Sequence, residues 1–329
     1  MAVYVGDSRI GLDIKDNDAN VHFVSHAHSD HTGGVRKTSS ILCSDITKDL
    51  IETRIKYEVK VAERPPGVEM LDSGHMLGSK QLYIEQDSGA SLIYTGDYQM
   101  QKSPVSGKID IRHADILIMD STYPFPNVVF DDKEEVIANI QSYIRKKAEI
   151  GSILFGAYSM GKAQELICIL NRAGIRPMVG SKISRINKVY EANGIRLDCE
   201  PLYSDGGKLA AGGGNFVGVV DSSEIKDLAY LLAKYRGANV ATAVASGWAK
   251  IFKFRADAQF PLSDHADFSQ SIDYIEATGA KKIVTYGGSQ RLFAANLRAK
   301  GYDAVPFSDA PANLFDGGFS GTHDSALAF

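Results

Sequence analysis

Cysteine is scarce: only Cys43, Cys168 and Cys199 occur in 329 residues. Odd in number and without metal-ligand spacing, they exclude a disulfide framework and a thiolate metal site. They suit a reducing compartment in which each is a small buried hydrophobe. No apolar run is long enough to span a bilayer. Residues 1–20 mix charges among the apolar positions and offer neither a signal-peptide core nor an arginine-rich transit segment. The expectation is a cytoplasmic protein without a membrane partner. Low-complexity tracts, fixed-period repeats and long like-charge blocks are also missing, so nothing reads as a disordered tail or a solenoid. Positive charge is in short supply, with 36 Lys and Arg against 40 Asp and Glu and a net charge of −4. That argues against the broad basic footprint of a non-specific nucleic-acid binder. A phosphate substrate stays open, because bound divalent cations add local charge that residue counting omits.

What is present is a folded chain, 44% hydrophobic and 23% charged, too long for a typical single domain. The first third reads as short strands and tight turns: VHFVSH, KQLYIEQ, a turn at Asp87-Ser88-Gly89, SLIYTGDY and DILIMDS. From about Lys133 helices alternate with short apolar strands, in EEVIANIQSYIRKKAE, SILFGAYS, GKAQELICILNRAG, IRPMVG and ISRINKVYEANG. This is the pattern of a parallel α/β unit. A glycine-rich loop, GGKLAAGGGN, leads into NFVGVV, EIKDLAYLLAKYRG and ANVATAVASGW, which continue the unit to about residue 248. PLSDHADF and the elements after it read as a return to the first domain. The expected division is therefore 1–123, an insertion over 124–248, and a return over 249–329.

The strongest signal is SHAHSDH, where a strand runs into His26, His28, Asp30 and His31: four ligand-type side chains within six residues. Imidazole and carboxylate are what zinc takes in hydrolytic sites, and with eight histidines in the whole chain chance clustering is a poor account. A two-metal site needs more ligands from later loops. LDSGHMLGS supplies His75 in a glycine-flanked loop, and LIYTGDY supplies Asp97 at a strand end.

The order SHAHSDH, SGH, TGD resembles the metallo-β-lactamase superfamily, with Asp13 in GLDIK a weaker match to its early aspartate. That resemblance implies an αββα four-layer sandwich within the α/β class. It also implies two metal sites: His26, His28 and His75 on one Zn2+, Asp30 and His31 on the other, and Asp97 bridging them with an activated hydroxide. Asp120 in MDSTY, the inserted α/β segment with FGAYSMGKAQEL, and His265 in PLSDHADF resemble the β-CASP nuclease branch, nearly throughout the chain. By that resemblance His265 is the general acid and Asp120 orients it. The substrate is then single-stranded RNA or DNA, cut as an exonuclease does. The layout resembles ligase-associated DNA exonucleases and archaeal RNA-processing nucleases.

The chain departs from the branch at IVTYGGSQR, where Tyr286 stands in place of the histidine ligand usual in RNA-cutting members. A phenol is a poor substitute, so the second site is expected to be weaker or to take Mn2+. Ser246, Gly247 and Ser263 resemble phosphate-contacting positions, though ordinary turn chemistry explains them as well. Lys162, Lys182, Arg185 and Lys188 are groove candidates that also fit a solvated helix face. GAYSMGKA nearly matches a P-loop but ends in Ala163, without the hydroxyl that binds magnesium. His22, His113 and His323 read as structural. Two rival functions stand beside the nuclease: a hydrolase of small esters or phosphodiesters, and a non-catalytic nucleic-acid-binding subunit with a weakened second metal site. The apolar end of the tail fits docking on the body or on a second subunit, as in a homo-oligomer.

Overall fold

The computed structural model describes residues 1–310 apart from 7, 38, 87–88, 208–211, 213 and 238. Most of the Asp87-Ser88-Gly89 turn, part of the glycine-rich loop, and the tail with His323 lie outside the described residues. Two compact units emerge, one from Met1–Met100, Lys108–Asn127 and His265 onward, the other from Gln101–Gly107 and Val128–Asp264.

The first unit holds two sheets. Strands β1 (Ala2–Val5), β2 (Ser8–Leu12), β3 (Val21–Phe23), β4 (Ser40–Leu42) and β5 (Lys60–Val61) lie side by side in sequence order. The second sheet runs β17-β16-β9-β8-β7-β6, formed by β6 (Val68–Asp72), β7 (Lys80–Glu85), β8 (Ser91–Tyr94), β9 (Ile116–Asp120), β16 (Lys282–Tyr286) and β17 (Ala304–Pro306). Side-chain alternation explains its layers. Ile116 and Ile118 of β9 join Ile10, Leu12, Phe23, Leu42 and Leu82 in a core drawn from both sheets. Leu117 and Met119, pointing the other way, pack with Tyr274 and Ile275 of one helix and Phe293 and Leu297 of another. A sheet buried on both faces explains why β8 and β9 read as continuous apolar runs rather than as alternating ones.

Helix α1 (Asp45–Ile55) follows β4 and is capped by the Ser44 hydroxyl, which accepts from the Thr47 amide. Its weak apolar periodicity hid it in the sequence. The two helices on the outer face of the second sheet, at Phe268–Thr278 and Gln290–Ala299, match the expected SIDYIEATGA and SQRLFAANLRAKG. The first of these has a capping box, Asp267 with Gln270.

The second unit is the anticipated parallel α/β unit. Its sheet runs β12-β11-β13-β10-β14-β15, every pair parallel, from β10 (Ser152–Ala157), β11 (Met178–Val179), β12 (Glu200–Pro201), β13 (Val217–Asp221), β14 (Val240–Ala245) and β15 (Ala258–Phe260). Helices α2 (Lys133–Lys147), α3 (Lys162–Arg172), α4 (Ser181–Ala192) and α5 (Ile225–Arg236) complete it. Leu154 packs with Ile225 and Leu232 of α5 on one face, while Phe155 on the other meets Phe260, itself against Tyr143 of α2. The unit extends to Asp264, beyond the boundary drawn at 248, because β15 pairs with β14 through Ala243↔Ala258. Cys43 is buried, and burial followed by Asp45 pushes its thiol up to about 12. Cys168 and Cys199 are only half-buried, which corrects the reading of all three as buried hydrophobes. No helix among the described residues is long and apolar enough to cross a membrane.

Inside the second unit Glu165 of α3 is buried between two lysines, with Lys133 Nζ 2.8 Å and Lys162 Nζ 3.4 Å from its oxygens, and Lys162 also lies 3.4 Å from Asp264. Lys162 is therefore a buried partner in an ion network and not a groove lysine. Burial would raise the Glu165 carboxyl, but Lys133 and Lys162 outweigh it and hold it below its ordinary 4.5. Its contribution to stability is accordingly full above that value and fades as pH falls through the lowered one. Glu165→Gln strands two ammonium groups and is expected to cost about 3–5 kcal/mol. Urea unfolding at neutral pH measures this, and the gap between the two proteins should narrow in acid.

Candidate metal centre

Most candidate side chains follow the C-terminal end of a strand, and His265 stands in the loop before the helix at Phe268–Thr278. β3 ends at Phe23 and leads into Ser25, His26 and His28, and a 3-10 turn over Ser29–His31 carries Asp30 and His31. β6 leads into His75, β8 into Asp97, β9 ends on Asp120 and β16 on Tyr286. Strand ends in α/β sheets leave backbone groups and loops free to build sites. Two glycines make the close approach possible. A Cβ on Gly96, whose φ is +54, would lie 2.5 Å from Ser25 Cβ, and one on Gly74, at φ +73, would lie 2.5 Å from the Gln99 carbonyl oxygen. Both the TGD and SGH motifs thus carry glycine for backbone reasons.

Ligand atoms of His26, His28, His75 and Asp97 all lie within 4.8 Å of one another, as do those of Asp13, His26 and His31, and those of Asp97, Asp120 and His265. Asp97 is the common focus. Its Oδ2 is 3.4 Å from His26 Nε2, 3.7 Å from His75 Nε2 and 3.9 Å from His265 Nε2, and its Oδ1 is 3.3 Å from His31 Nε2. His28 Nδ1 and His75 Nε2 are 3.2 Å apart.

Hydrogen bonds behind the rings fix where their lone pairs point. The Ser25 hydroxyl donates to Asp13 Oδ2 at 2.6 Å, so it accepts from His26 Nδ1 at 2.9 Å. His26 Nε2 is left as a lone pair, buried and without a hydrogen-bond partner among the described residues. His31 Nδ1 donates to Asp13 Oδ2 at 2.7 Å, which turns its Nε2 toward Asp97. Acceptors therefore face acceptors in a buried space, and only positive charge relieves that arrangement. The titration tendencies agree. Burial opposes a charged His31, but Asp97 and Asp13 outweigh it and hold the ring well above its usual range. Burial also works against an ionised Asp97, yet His31, His265 and His26 keep it well below the usual carboxylate range. Burial, then His31, pushes His26 well down. Asp97 and Asp13 thus favour positive charge at His31, the kind of charge a metal ion there would supply. Nitrogen and carboxylate donors in this set suit a divalent transition metal, so the residues fit one.

Asp120 and His265 form a separate pair. Asp120 Oδ1 accepts from the Thr122 amide and hydroxyl at 3.0 and 2.8 Å, and its Oδ2 lies 3.0 Å from His265 Nδ1. With Nδ1 engaged, His265 Nε2 is aimed at Asp97. Asp30 stands apart, 75% exposed and 3.7 Å from His31 Nε2. The Tyr286 hydroxyl is buried beside Tyr94, whose ring centroid lies 5.1 Å from that of Tyr286. Burial, then Asp97 and Asp120, push it well above the phenol range, so it stays a neutral O–H. His22 Nε2 bonds the Asp16 backbone, a structural role. Lys182 pairs with Asp221, and Arg185 and Lys188 are exposed on α4.

What the sequence undervalued is Asp13. Its Oδ1 accepts from the Ser25 amide at 2.6 Å, and its Oδ2 accepts from Ser25 Oγ, His31 Nδ1 and the Tyr94 hydroxyl, the last at 2.7 Å. The sequence marked it only as a weaker match to an early aspartate of the family, with no ligand or partner assigned to it.

No protein-family model matches the chain. It is 32% identical over 298 residues to a probable DNA ligase of Opitutus terrae, covering 86% of this chain and 28% of that protein. It is 30% identical over 168 residues to the 5′ exonuclease Apollo of Gallus gallus, covering 45% of this chain and 35% of that protein. The chain thus spans about a third or less of these curated relatives. A solved protein of unknown function from Enterococcus faecalis shares the fold, with a TM-score of 0.58 at 12% identity over 84% of this chain and 78% of the other.

Asp13→Asn keeps an acceptor for the Ser25 amide but weakens the hold on both rings, and should lower metal affinity by about 10–100-fold. Competition with a chromophoric chelator reads this directly. Asp30→Asn should leave the tightest-bound metal unchanged. A similar loss in both variants would remove Asp13 from its special position.

Proposed function

We propose that this chain, which belongs to the β-CASP branch of the metallo-β-lactamase superfamily, is a metal-dependent phosphodiesterase that trims single-stranded nucleic acid as an exonuclease. The observation that carries the reading is the convergence of His26, His31, His75 and His265 on the two oxygens of Asp97. One set of groups is arranged to hold cations, and another to move a proton beside them.

In this reading His26, His28, His75 and Asp97 would hold one zinc ion, and His31 and Asp30 with Asp97 would hold a second zinc or manganese ion. Such ions lower the pKa of water and offset charge on phosphoryl oxygens when bound. The chain's own groups do the rest. Asp97 and the imidazoles must be unprotonated, and burial of His26 favours that state. Asp120 fixes the His265 ring through Nδ1, so that a proton on Nε2 is delivered to the oxygen leaving the cleaved bond. Without that proton an alkoxide would have to depart. The neutral Tyr286 hydroxyl, beside Asp97 and Asp120, is assigned a hydrogen bond to a phosphate oxygen. Because Tyr286 supplies no imidazole, the second site is the weaker one.

The test uses the metal-loaded protein with single-stranded RNA and DNA labelled at either end. A ladder of shortening products is expected, and the label that survives gives the polarity. Asp97→Ala should lose both metal and cleavage. His265→Ala should keep its metal by elemental analysis while cleavage falls by about 10²–10⁴-fold. Turnover of small phosphodiesters with no cut in either polymer would point to a small-molecule hydrolase instead. Tyr286→His should tighten the second metal, read by calorimetry with manganese; unchanged affinity would show that position 286 does not face that site.

A further inference from the structure

Residues 248–255, WAKIFKFR, contain three aromatics, three cations and no acid, in a chain whose net charge is −4 and whose only tryptophan is Trp248. The segment lies in the second unit, where a 3-10 turn over Gly247–Lys250 opens the loop between β14 and β15. Phe252 is 57% exposed, and its ring stacks on Trp248 with centroids 5.5 Å apart and planes 28° from parallel. The pair is not left to swing. The side chain of Gln259 ties the loop from three directions, accepting from the Phe254 amide at 2.9 Å and donating to the Ala249 and Phe252 carbonyls at 2.7 and 3.0 Å. A hollow of about 440 Å³ beside it is lined by Phe252, Lys253, Phe254 and Gln259, among others.

The charges around this ledge favour a polyanion. Lys253 and Arg255 are exposed. Lys250 pairs with Asp131 at 2.6 Å. Asp257 at the edge of the hollow stays ionised, its Oδ2 accepting from the Thr242 amide and hydroxyl at 2.7 and 2.8 Å, and the two exposed cations outnumber it. A rigid, open aromatic face flanked by cations is how sequence-neutral single-strand binding works, since every base offers a π-face and every phosphate a charge. A purely apolar protein partner would find Lys253 and Arg255 a desolvation cost.

We propose that residues 248–255 form a stacking platform for single-stranded nucleic acid, with one base on the open face of Phe252 and neighbouring phosphates on Lys253 and Arg255. The choice of occupant rests on the nuclease reading above; the platform itself uses none of the metal-centre residues.

The lone tryptophan supplies the test. The full chain is titrated with a single-stranded oligothymidylate in the presence of a chelator, so that no cleavage intervenes, and Trp248 fluorescence is followed. Quenching is expected. Phe252→Ala should weaken binding about tenfold, the effect of losing one stacked base, and Phe252→Tyr should restore it. Lys253→Glu with Arg255→Glu should flatten the dependence of affinity on salt. No quenching, unchanged affinity in Phe252→Ala, or equal binding of duplex or heparin would overturn the platform. Quenching and binding with no cleavage under any metal would leave the platform standing and sink the nuclease. Cleavage without a Trp248 signal would do the reverse.

Discussion

The Asp13 carboxylate is buried in the first unit and gathers hydrogen bonds from both of its sheets. It follows β2, with φ +59 at Asp13 itself, and receives the Ser25 amide and hydroxyl from beyond β3, His31 from the turn after it, and Tyr94 from β8 of the other sheet. A buried carboxylate without such partners would be very costly. With them, one group sets two imidazoles: His31 directly and His26 through Ser25. Displacing either sheet would turn a ring, so the packing of the sandwich and the aim of the ligands are the same constraint.

The two units treat buried charge differently. In the second, Glu165 is satisfied by Lys133 and Lys162, both supplied by the chain. In the first, His26 Nε2 has no hydrogen-bond partner among the described residues and lies 3.4 Å from Asp97 Oδ2, acceptor to acceptor. The Glu165 network is complete as folded, whereas the cluster around Asp97 calls for an added positive charge. Binding energy there is folding energy as well, because the unfolded chain holds no such site.

Much of this was legible beforehand. SHAHSDH sits at a strand end, and proximity in sequence guarantees proximity in space, so His26, His28 and His31 needed no tertiary knowledge. His75 and Asp97 were readable because glycine marks loops that must approach another backbone. Other residues were less legible. Asp30 shares the motif, yet the 3-10 turn over Ser29–His31 leaves it largely exposed at the rim of the centre, 3.7 Å from His31 Nε2, which spacing along the chain does not tell. Lys162 looked like a groove cation, but Glu165, one turn further along α3, and Asp264, far along the chain, bury it. Helix α1 was missed because its apolar periodicity is weak, and the boundary near 248 shifted because β15 pairs with a strand whose partner the local pattern does not name.

By itself the sequence determined the donor chemistry, the alternation of strands and helices, and the presence of an inserted parallel unit, all of which follow from residue type and short-range period. Only the tertiary structure decided which lone pairs face Asp97, that Asp13 governs them, and that Phe252 lies open on Trp248. Those depend on which distant strand ends meet and on which hydrogen bond occupies the other nitrogen of each ring. Neither is written in the spacing of residues along one chain.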